Sequence, residues 1–449
     1  MLRPNDFGGS ERMRTTMKMS AIFIAAATVI VMLLATVCLE PVSAEDSIAQ
    51  GDTGSISWIL ISSALVFMMV PGVAFFYGGM LRKQSMSSMM SQTLIAIGVM
   101  TISWMVVGYS LAFDGNGTFI GGLGNMFMNG VTESAPSGIS DMEFALFQGM
   151  FAILTAAIVL GACAERIRYT AMVWFLALWS ILVYAPMAHW VWGGGLFDQY
   201  LVVLDFAGGT VVHICAGITG IALVVFAGSR SNRVRNSRAH NIPLAFLGCA
   251  MLWIGWIGFN GGSALAADGT AVRATLVSMA AAGCGMMAWA ATQYMVVGRV
   301  GVLGMIAGSI AGLVGITPAA GYVGVPESML IGAVAGCLCF FSVRYMKSKN
   351  YVDDALDVFA VHGVGGIWGA IATGIFAIPA YSGGKAGLIY GSADLFIGQI
   401  VAVLGTLVFC FSVSYAIIWG LSKVMRVRIT EEEELVGQDL IEHGENAYM

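Results

Sequence analysis

Long apolar stretches constrain this chain more than any other feature of its sequence. They form eleven segments, at 55–77, 88–113, 143–163, 169–189, 205–227, 242–265, 271–297, 300–320, 327–345, 354–378 and 393–420. An α-helix of about 20 apolar residues crosses the hydrocarbon core of a bilayer, and these segments have that length. Their continuous apolar character excludes an outer-membrane barrel, whose strands alternate apolar and polar residues. The sequence therefore predicts an all-α polytopic membrane protein.

Composition leads to the same class. Hydrophobic residues make up 58% of the 449 residues and charged residues only 10%, whereas soluble domains carry about 25% charge. A net charge of −5 gives no reason to expect a nucleic-acid partner. The sequence contains no nucleophile–base constellation, cofactor fingerprint or metal-ligand spacing. We therefore expect neither an enzyme nor a bound cofactor.

The first 44 residues have the order of a secretory signal. Basic residues between Arg3 and Lys18 precede an apolar stretch at 21–39, and Val42-Ser43-Ala44 follows it. This order predicts a signal peptide, 1–44, that is cleaved after Ala44. An uncleaved anchor helix is the alternative, because nineteen apolar residues are long for a signal.

The distribution of basic residues predicts the orientation. With the new N-terminus outside, alternation places fifteen basic residues on the inner side and only Arg273 and Lys385 on the outer side. This asymmetry follows the positive-inside rule. We therefore expect eleven transmembrane helices, N-out and C-in, in a multi-pass domain of the cell membrane at 45–422. A cytosolic tail, 423–449, would follow, and its acidic run Glu431–Glu434 is typical of a solvated segment.

Two predicted spans carry a histidine in the same local pattern. His213 in the fifth span and His362 in the tenth each lie eight residues after an aspartate, Asp205 or Asp354, and each is followed four residues later by a glycine. The two spans run in opposite directions, which predicts an inverted repeat of helices 1–5 and 6–10. Eight helical residues advance about 12 Å, so each imidazole is predicted to lie about 12 Å below one face of the membrane. Because the two spans start at opposite faces of a core about 30 Å thick, the imidazoles are predicted to meet near its middle.

The histidine pattern has two interpretations. Ionisable residues in membrane helices are functional candidates, so the pair could line a transport pathway. It could instead be a buried, hydrogen-bonded contact between helices. A catalytic metal site is less favoured because no third ligand accompanies either histidine. Asp205 and Asp354 are expected to cap their helices, and Asp205 is expected to act electrostatically as well.

Aromatic residues mark one face of two other spans. Phe147 and Phe151 are four residues apart on the third span, and Trp256, Phe259 and Ser263 follow a three-then-four spacing on the sixth. Trp192 ends the fourth span just before three glycines. A tryptophan at this position could be an interfacial anchor or could bind a cation through its ring face. The sequence alone does not decide between these two roles.

Eight stretches carry a resemblance to a known family. They are Phe75-Phe76-Tyr77-Gly78-Gly79, Phe147-Gln148-Gly149-Met150-Phe151, Ala164-Glu165-Arg166-Ile167-Arg168, His189-Trp190-Val191-Trp192-Gly193-Gly194-Gly195, Asp205–His213, Trp256-Ile257-Gly258-Phe259-Asn260-Gly261-Gly262-Ser263, Asp354–His362 and His443-Gly444-Glu445-Asn446-Ala447-Tyr448. In these stretches the chain resembles the Amt/Mep/Rh ammonium transporter family, particularly its bacterial and archaeal Amt branch. The resemblance covers the chain from about residue 50 to its end.

The resemblance implies a role for each candidate residue. It implies an outer ammonium recruitment site at Phe147, Trp192 and Ser263 supported by Asp205, a phenyl gate at Phe151 and Phe259, and a twin-histidine pair at His213 and His362 beside Trp256. It further implies a homotrimer with one pore per subunit, and a tail that responds to a PII-type nitrogen regulator.

Three functions remain open at this stage. The first is a transporter that conducts ammonia, with or without a proton, into the cytosol. The second is an ammonium sensor that conducts poorly and signals through its tail. A fused signalling domain would distinguish a sensor from a transporter. The third is an Rh-like channel for neutral gas. The aromatic residues at the outer mouth favour recruitment of a cation over this third function.

Overall fold

The computed structural model describes residues 51–135, 137–349 and 352–448, so the predicted signal segment, 1–44, lies outside the described residues. Within these ranges ten helices are long and apolar enough to cross a membrane, and Val302–Ile316 is a shorter apolar helix. In chain order they are α1 (Thr53–Met80), α2 (Lys83–Phe113), α3 (Asp141–Leu160), α4 (Tyr169–Tyr200), α5 (Gly209–Ala227), α6 (Ile242–Gly262), α7 (Gly269–Val297), α8 (Val302–Ile316), α9 (Val325–Ser348), α10 (Phe359–Phe376) and α11 (Asp394–Val424). The predicted all-α polytopic class is confirmed. The count of eleven spans stays a prediction, because α8 has only 15 residues.

Polar side chains fix where several of the helices begin. Asp52 accepts the N–H groups of the first turn of α1, and Asp268 does the same for α7. Ser140 and Glu143 form a reciprocal capping box at the start of α3. The first N–H groups of a helix have no partner within it, so these oxygens satisfy donors that would otherwise be unpaired.

Glycines allow α1 and α6 to pack closely. A Cβ at Gly79 would lie 2.6 Å from the backbone of Asn241 and Ala245, and a Cβ at Gly248 would lie 2.3 Å from the backbone nitrogen of Phe76. Neither position has room for a side chain. This close approach of backbones is what small residues supply in membrane helices, where lipid provides no hydrophobic drive between them.

The two histidine helices begin later than the sequence suggested. The predicted spans started at Asp205 and Asp354, but α5 begins at Gly209 and α10 at Phe359. Gly208 has a φ of 102° and lies in the left-handed region before α5. Both helices open with a π-helical turn that contains the histidine. The helical rise of eight residues between aspartate and histidine was therefore a wrong premise.

The tail does not extend into solvent as the acidic run suggested. Glu434 has no exposed surface, and its carboxylate accepts the backbone N–H of Ser231 at 2.7 Å and a guanidinium N–H of Arg428 at 2.9 Å. Arg168 pairs with Glu433 at 2.6 Å. Composition missed this arrangement because Ser231 and Arg168 lie in loops far away in the sequence, while Arg428 lies in the tail itself.

Asp439 holds the tail against the start of α2. Its two carboxylate oxygens accept the backbone N–H groups of Ser87 and Ser88 at 3.0 and 2.7 Å. Burial raises the pKa of Asp439, and the hydrogen bonds from Ser88 and Ser87 oppose that rise. A residue more than 350 positions away thus supplies the carboxylate for the first turns of a membrane helix.

Candidate functional site

Asp205 organises the loop that leads into α5. Its carboxylate accepts the backbone N–H groups of Gly208 and Gly209 at 2.8 and 2.7 Å on one oxygen, and those of the next two residues at 2.7 and 3.4 Å on the other. Its main-chain oxygen accepts the indole N–H of Trp192 at 2.9 Å. The expected capping role is thus observed, and the same residue also fixes the position of Trp192.

Four aromatic rings form a continuous cluster at the end of α4. The Phe151 ring centroid lies 4.4 Å from that of Phe259, 4.9 Å from that of Phe147 and 6.0 Å from that of Trp192. Phe147, Phe151 and Phe259 are buried, whereas Trp192 is partly exposed. The cluster therefore extends from the partly exposed Trp192 to the buried rings of Phe151 and Phe259.

Ser263 lies at the accessible end of this cluster. The residue before it, Gly262, packs on Phe147, because a Cβ at Gly262 would lie 2.8 Å from the Phe147 ring. The Ser263 hydroxyl donates to the Phe259 main-chain oxygen at 2.8 Å, so its own oxygen is available as an acceptor. The predicted recruitment residues therefore adjoin the aromatic cluster.

The two histidines contact each other directly behind the phenyl pair. Their Nδ1 atoms are 3.2 Å apart, and both side chains are buried. The His213 ring stacks with Phe259 at 5.8 Å and with Trp256 at 5.6 Å. The Nε2 atom of His213 is buried and has no hydrogen-bond partner among the described residues. A polar atom in that condition needs a passing ligand or water to satisfy it.

The glycine that follows each histidine makes the contact possible. A Cβ at Gly217 would lie 2.5 Å from the Cα of Gly363, next to His362, and a Cβ at Gly366 would lie 3.1 Å from the Cβ of His213. Each histidine helix therefore uses its glycine to admit the histidine turn of the other. This reciprocity is the local expression of the predicted inverted repeat.

Thr317 belongs to the site, and sequence reasoning missed it. Its hydroxyl accepts the indole N–H of Trp256 at 3.0 Å and donates to the main-chain oxygen of Leu313 at 2.7 Å. The tryptophan ring is thereby held in the orientation that lets it stack on His213. A threonine at the end of an apolar helix carries no distinctive spacing, so no pattern in the sequence signals this role.

A cavity of about 240 Å³ lies on the far side of the histidine pair. His362 forms part of its wall, together with Phe76 and Tyr77 from α1, and Lys347 and Asp357 line it as well. In the described ranges no three His, Cys, Asp or Glu side chains are grouped so that they could hold a metal ion. The site thus consists of an aromatic cluster, a histidine pair and a cavity, in that order.

Comparisons with known proteins identify the family. The sequence model of the Ammonium Transporter Family matches residues 57–448. The chain belongs to the ammonium transporter family. It is 45% identical over 404 residues to an ammonium transporter of Bacillus subtilis, an alignment that covers 89% of this chain and 98% of the relative.

Solved structures of the same family share the fold. The crystal structure of Candida albicans Mep2 matches with a TM-score of 0.80 and 34% identity, covering 89% of this chain and 91% of Mep2. A structure titled Sensor Amt Protein also has a TM-score of 0.80, at 27% identity, covering 87% of this chain and 98% of that one. The resemblance found in the sequence is confirmed, and the chain is a multi-pass membrane protein of ammonium transport.

Proposed function

We propose that the protein recruits the ammonium cation at Phe147, Trp192 and Ser263 and conducts ammonia through an apolar pore to the cytosol. In this proposal His213 and His362 carry the proton. The observation that carries the proposal is the 3.2 Å separation of the two Nδ1 atoms, directly behind a buried phenyl pair.

Recruitment follows from the chemistry of the accessible end. Ammonium exchanges part of its hydration shell for aromatic faces, which attract cations most strongly when water is excluded. The ring of Trp192 and the hydroxyl of Ser263 offer an aromatic face and a hydrogen-bond acceptor. Asp205 supports the site by holding the indole N–H through its main-chain oxygen and by adding negative charge nearby.

Passage beyond Phe151 and Phe259 favours the neutral molecule. Moving an ion from water into an apolar interior costs several kcal/mol even after relaxation of the surroundings. Separating the proton from ammonia avoids most of that cost. The phenyl pair, with centroids 4.4 Å apart, would then act as a gate that must open for ammonia.

The histidine pair supplies a separate route for the proton. Histidine takes up and releases a proton near physiological pH, and two imidazoles in contact can pass one between them. Potassium has no proton to release, so it cannot use this mechanism. Selectivity for ammonium over potassium would thus arise from proton chemistry in addition to pore width.

We also propose the homotrimer and the PII-type regulator that the family resemblance implies. The tail supports the second proposal because it is docked on the loops beside α2 and α4 through Asp439 and Arg168. A cytosolic protein that contacts the tail would therefore also contact the ends of two membrane helices.

Ammonium-evoked current in liposomes tests the proposed pathway. We expect wild-type protein to give a current with ammonium and none with potassium. His213→Leu and His362→Leu should each abolish the proton-coupled current or admit potassium, because one imidazole cannot relay a proton across the pair. The matched control is Thr406→Val, a buried polar-to-apolar change at a residue whose hydroxyl donates to the main-chain oxygen of Ala402 in its own helix.

Full ammonium current without potassium leakage in both histidine variants would contradict the proton route. Absence of wild-type current, together with measurable ammonium binding, would instead favour the sensor function. The two outcomes differ in whether ammonium crosses the membrane at all.

A further inference from the structure

The cavity beyond the histidine pair changes character along its length. Near His362 its walls are aromatic, with the Phe76 and Tyr77 ring centroids 5.5 Å apart. Farther from His362, the side chains of Asp357 and Lys347 line the same cavity. A neutral molecule that leaves the histidines therefore meets aromatic faces and then a carboxylate.

Asp357 is only half satisfied in this position. One carboxylate oxygen, Oδ2, lies 2.7 Å from the Lys347 ammonium nitrogen. The other, Oδ1, is buried and has no hydrogen-bond partner among the described residues, and the whole residue is 8% exposed. A buried carboxylate oxygen without a donor is costly and is most easily explained by a ligand that visits it.

The backbone at Asp357 adds a second sign of specialisation. Its φ is 61°, in the left-handed region that side-chain-bearing residues seldom adopt. This conformation falls in the loop between the capping carboxylate of Asp354 and the first turn of α10. The surrounding structure thus holds the carboxylate at the cavity wall against a local preference of the chain.

Lys347 resembles the transported ion. Its head group is a substituted ammonium with the same charge as free ammonium, and its side chain is 58% exposed. Its ammonium group forms an ion pair with Asp357. Because the lysine side chain is more than half exposed, water can solvate its head group when it leaves the buried carboxylate.

We propose that Asp357 binds ammonium on the cytosolic side of the pore, and that Lys347 is a tethered competitor that displaces the ion from this site. The inference rests on the proposed inward pathway and concerns binding of the cation, so it needs no proton transfer at Asp357. Phe76 and Tyr77 complete the site with aromatic faces. The lysine lowers the occupancy of the site by ammonium, because both cations compete for the same carboxylate.

Inhibition by ammonium from the cytosolic side measures this site. The protein is reconstituted into liposomes, and the preparations used are those in which the tail is protected from external protease and therefore faces the lumen. Current is evoked by a fixed external ammonium pulse while luminal ammonium chloride is raised stepwise. Raising luminal ammonium reduces the ammonium gradient equally for every variant. A difference in inhibition between variants therefore reports binding on the luminal side.

Two variants are expected to shift the inhibition in opposite directions. Lys347→Gln removes the competitor, and half-inhibition should occur at about two- to fivefold lower luminal ammonium. Asp357→Asn removes the charge but tolerates the positive φ, and half-inhibition should need about tenfold more ammonium or be lost. The control Lys349→Gln should match wild type, because that lysine lies over the Tyr345 ring instead.

Equal half-inhibition in wild type, Lys347→Gln and Asp357→Asn would overturn the inference. The proposed pathway would survive that result if the histidine variants still lose their current. Opposite shifts in the two variants, together with unaltered current in both histidine variants, would retain the cytosolic site and reject the proton route. Should Asp357→Asn fail to fold, the direction of the Lys347→Gln shift still decides.

Discussion

Replacing Asp205 by asparagine should weaken both the fold and the recruitment of ammonium. One Asp205 oxygen serves Gly208 and Gly209, and the other serves Thr210 and Val211. Asparagine keeps one acceptor oxygen but places an NH₂ group where the second stood. Two backbone N–H groups then lose their acceptor and face another donor.

The size of the effect follows from these bonds. A hydrogen bond to a charged group contributes about 1.5–3 kcal/mol, so loss of two predicts a destabilisation of about 3–6 kcal/mol. Trp192 depends on the same loop through the Asp205 main-chain oxygen. Displacing that ring removes a cation–π contact of about 0.5–2 kcal/mol, which raises the half-saturating ammonium concentration about two- to thirtyfold.

Two other aspartates provide matched comparisons. Asp354→Asn should cost about half as much, because its amide oxygen can take the place of Oδ2, which accepts the N–H groups of Phe359 and Ala360, and only the N–H of Val358 loses its acceptor. It should leave recruitment unaltered. Asp268→Asn should change little, because a single oxygen accepts both of its N–H partners and an amide oxygen can replace it. Thermal unfolding in detergent measures the stability, and the ammonium dependence of the liposome current measures recruitment.

An Asp205→Asn protein as stable as Asp268→Asn would refute the hydrogen-bond reasoning. Equal half-saturating concentrations in Asp205→Asn and Asp354→Asn would refute the link to Trp192. Since stability and recruitment are measured separately, either part can fail alone.

Three further predictions concern other parts of the molecule. Trp192→Leu should lose about 0.5–2 kcal/mol of ammonium binding, which raises the half-saturating ammonium concentration about two- to thirtyfold. Unchanged uptake at limiting ammonium would show that Trp192 is only an interfacial anchor. Gly217→Ala should separate the histidine helices, because its Cβ would lie 2.5 Å from Gly363; we expect lower thermal stability and loss of current, and a fully active variant would contradict this packing. A reporter after Met449 should be cytosolic and a tag near Ser134 external, and finding both on one side would reject the topology.

The class of fold and the composition of the site were within reach of the sequence. Apolar length alone predicts membrane helices, because lipid leaves the backbone few other solutions. The spacing of Asp205 to His213 recurs in the second half, and the structure brings His213 and His362 into contact. The prediction succeeded although its helical premise was wrong, since each aspartate accepts backbone N–H groups of the turn that carries its histidine.

Features that depend on distant partners were not predictable. Thr317 orients Trp256 from another helix, and Asp439 caps α2 from the tail. Lys347 and Asp357 are ten positions apart, but Lys347 lies in α9 and Asp357 in the strained loop before α10. In each case the residue type is common, and its role depends on a contact with a residue from another part of the fold. Local periodicity in the sequence does not indicate such contacts.

The contact between two Nδ1 atoms gives the histidine pair a polarity. In a neutral pair one Nδ1 holds the shared proton, so the accepting ring carries its own proton on Nε2 while the donating ring has a bare Nε2. A proton that enters at the bare end and pushes another out of the far end reverses this arrangement. In the proposed relay, the pair is then oriented the wrong way for a second transfer in the same direction. Each transferred proton must therefore be followed by a return of both rings to their starting tautomers.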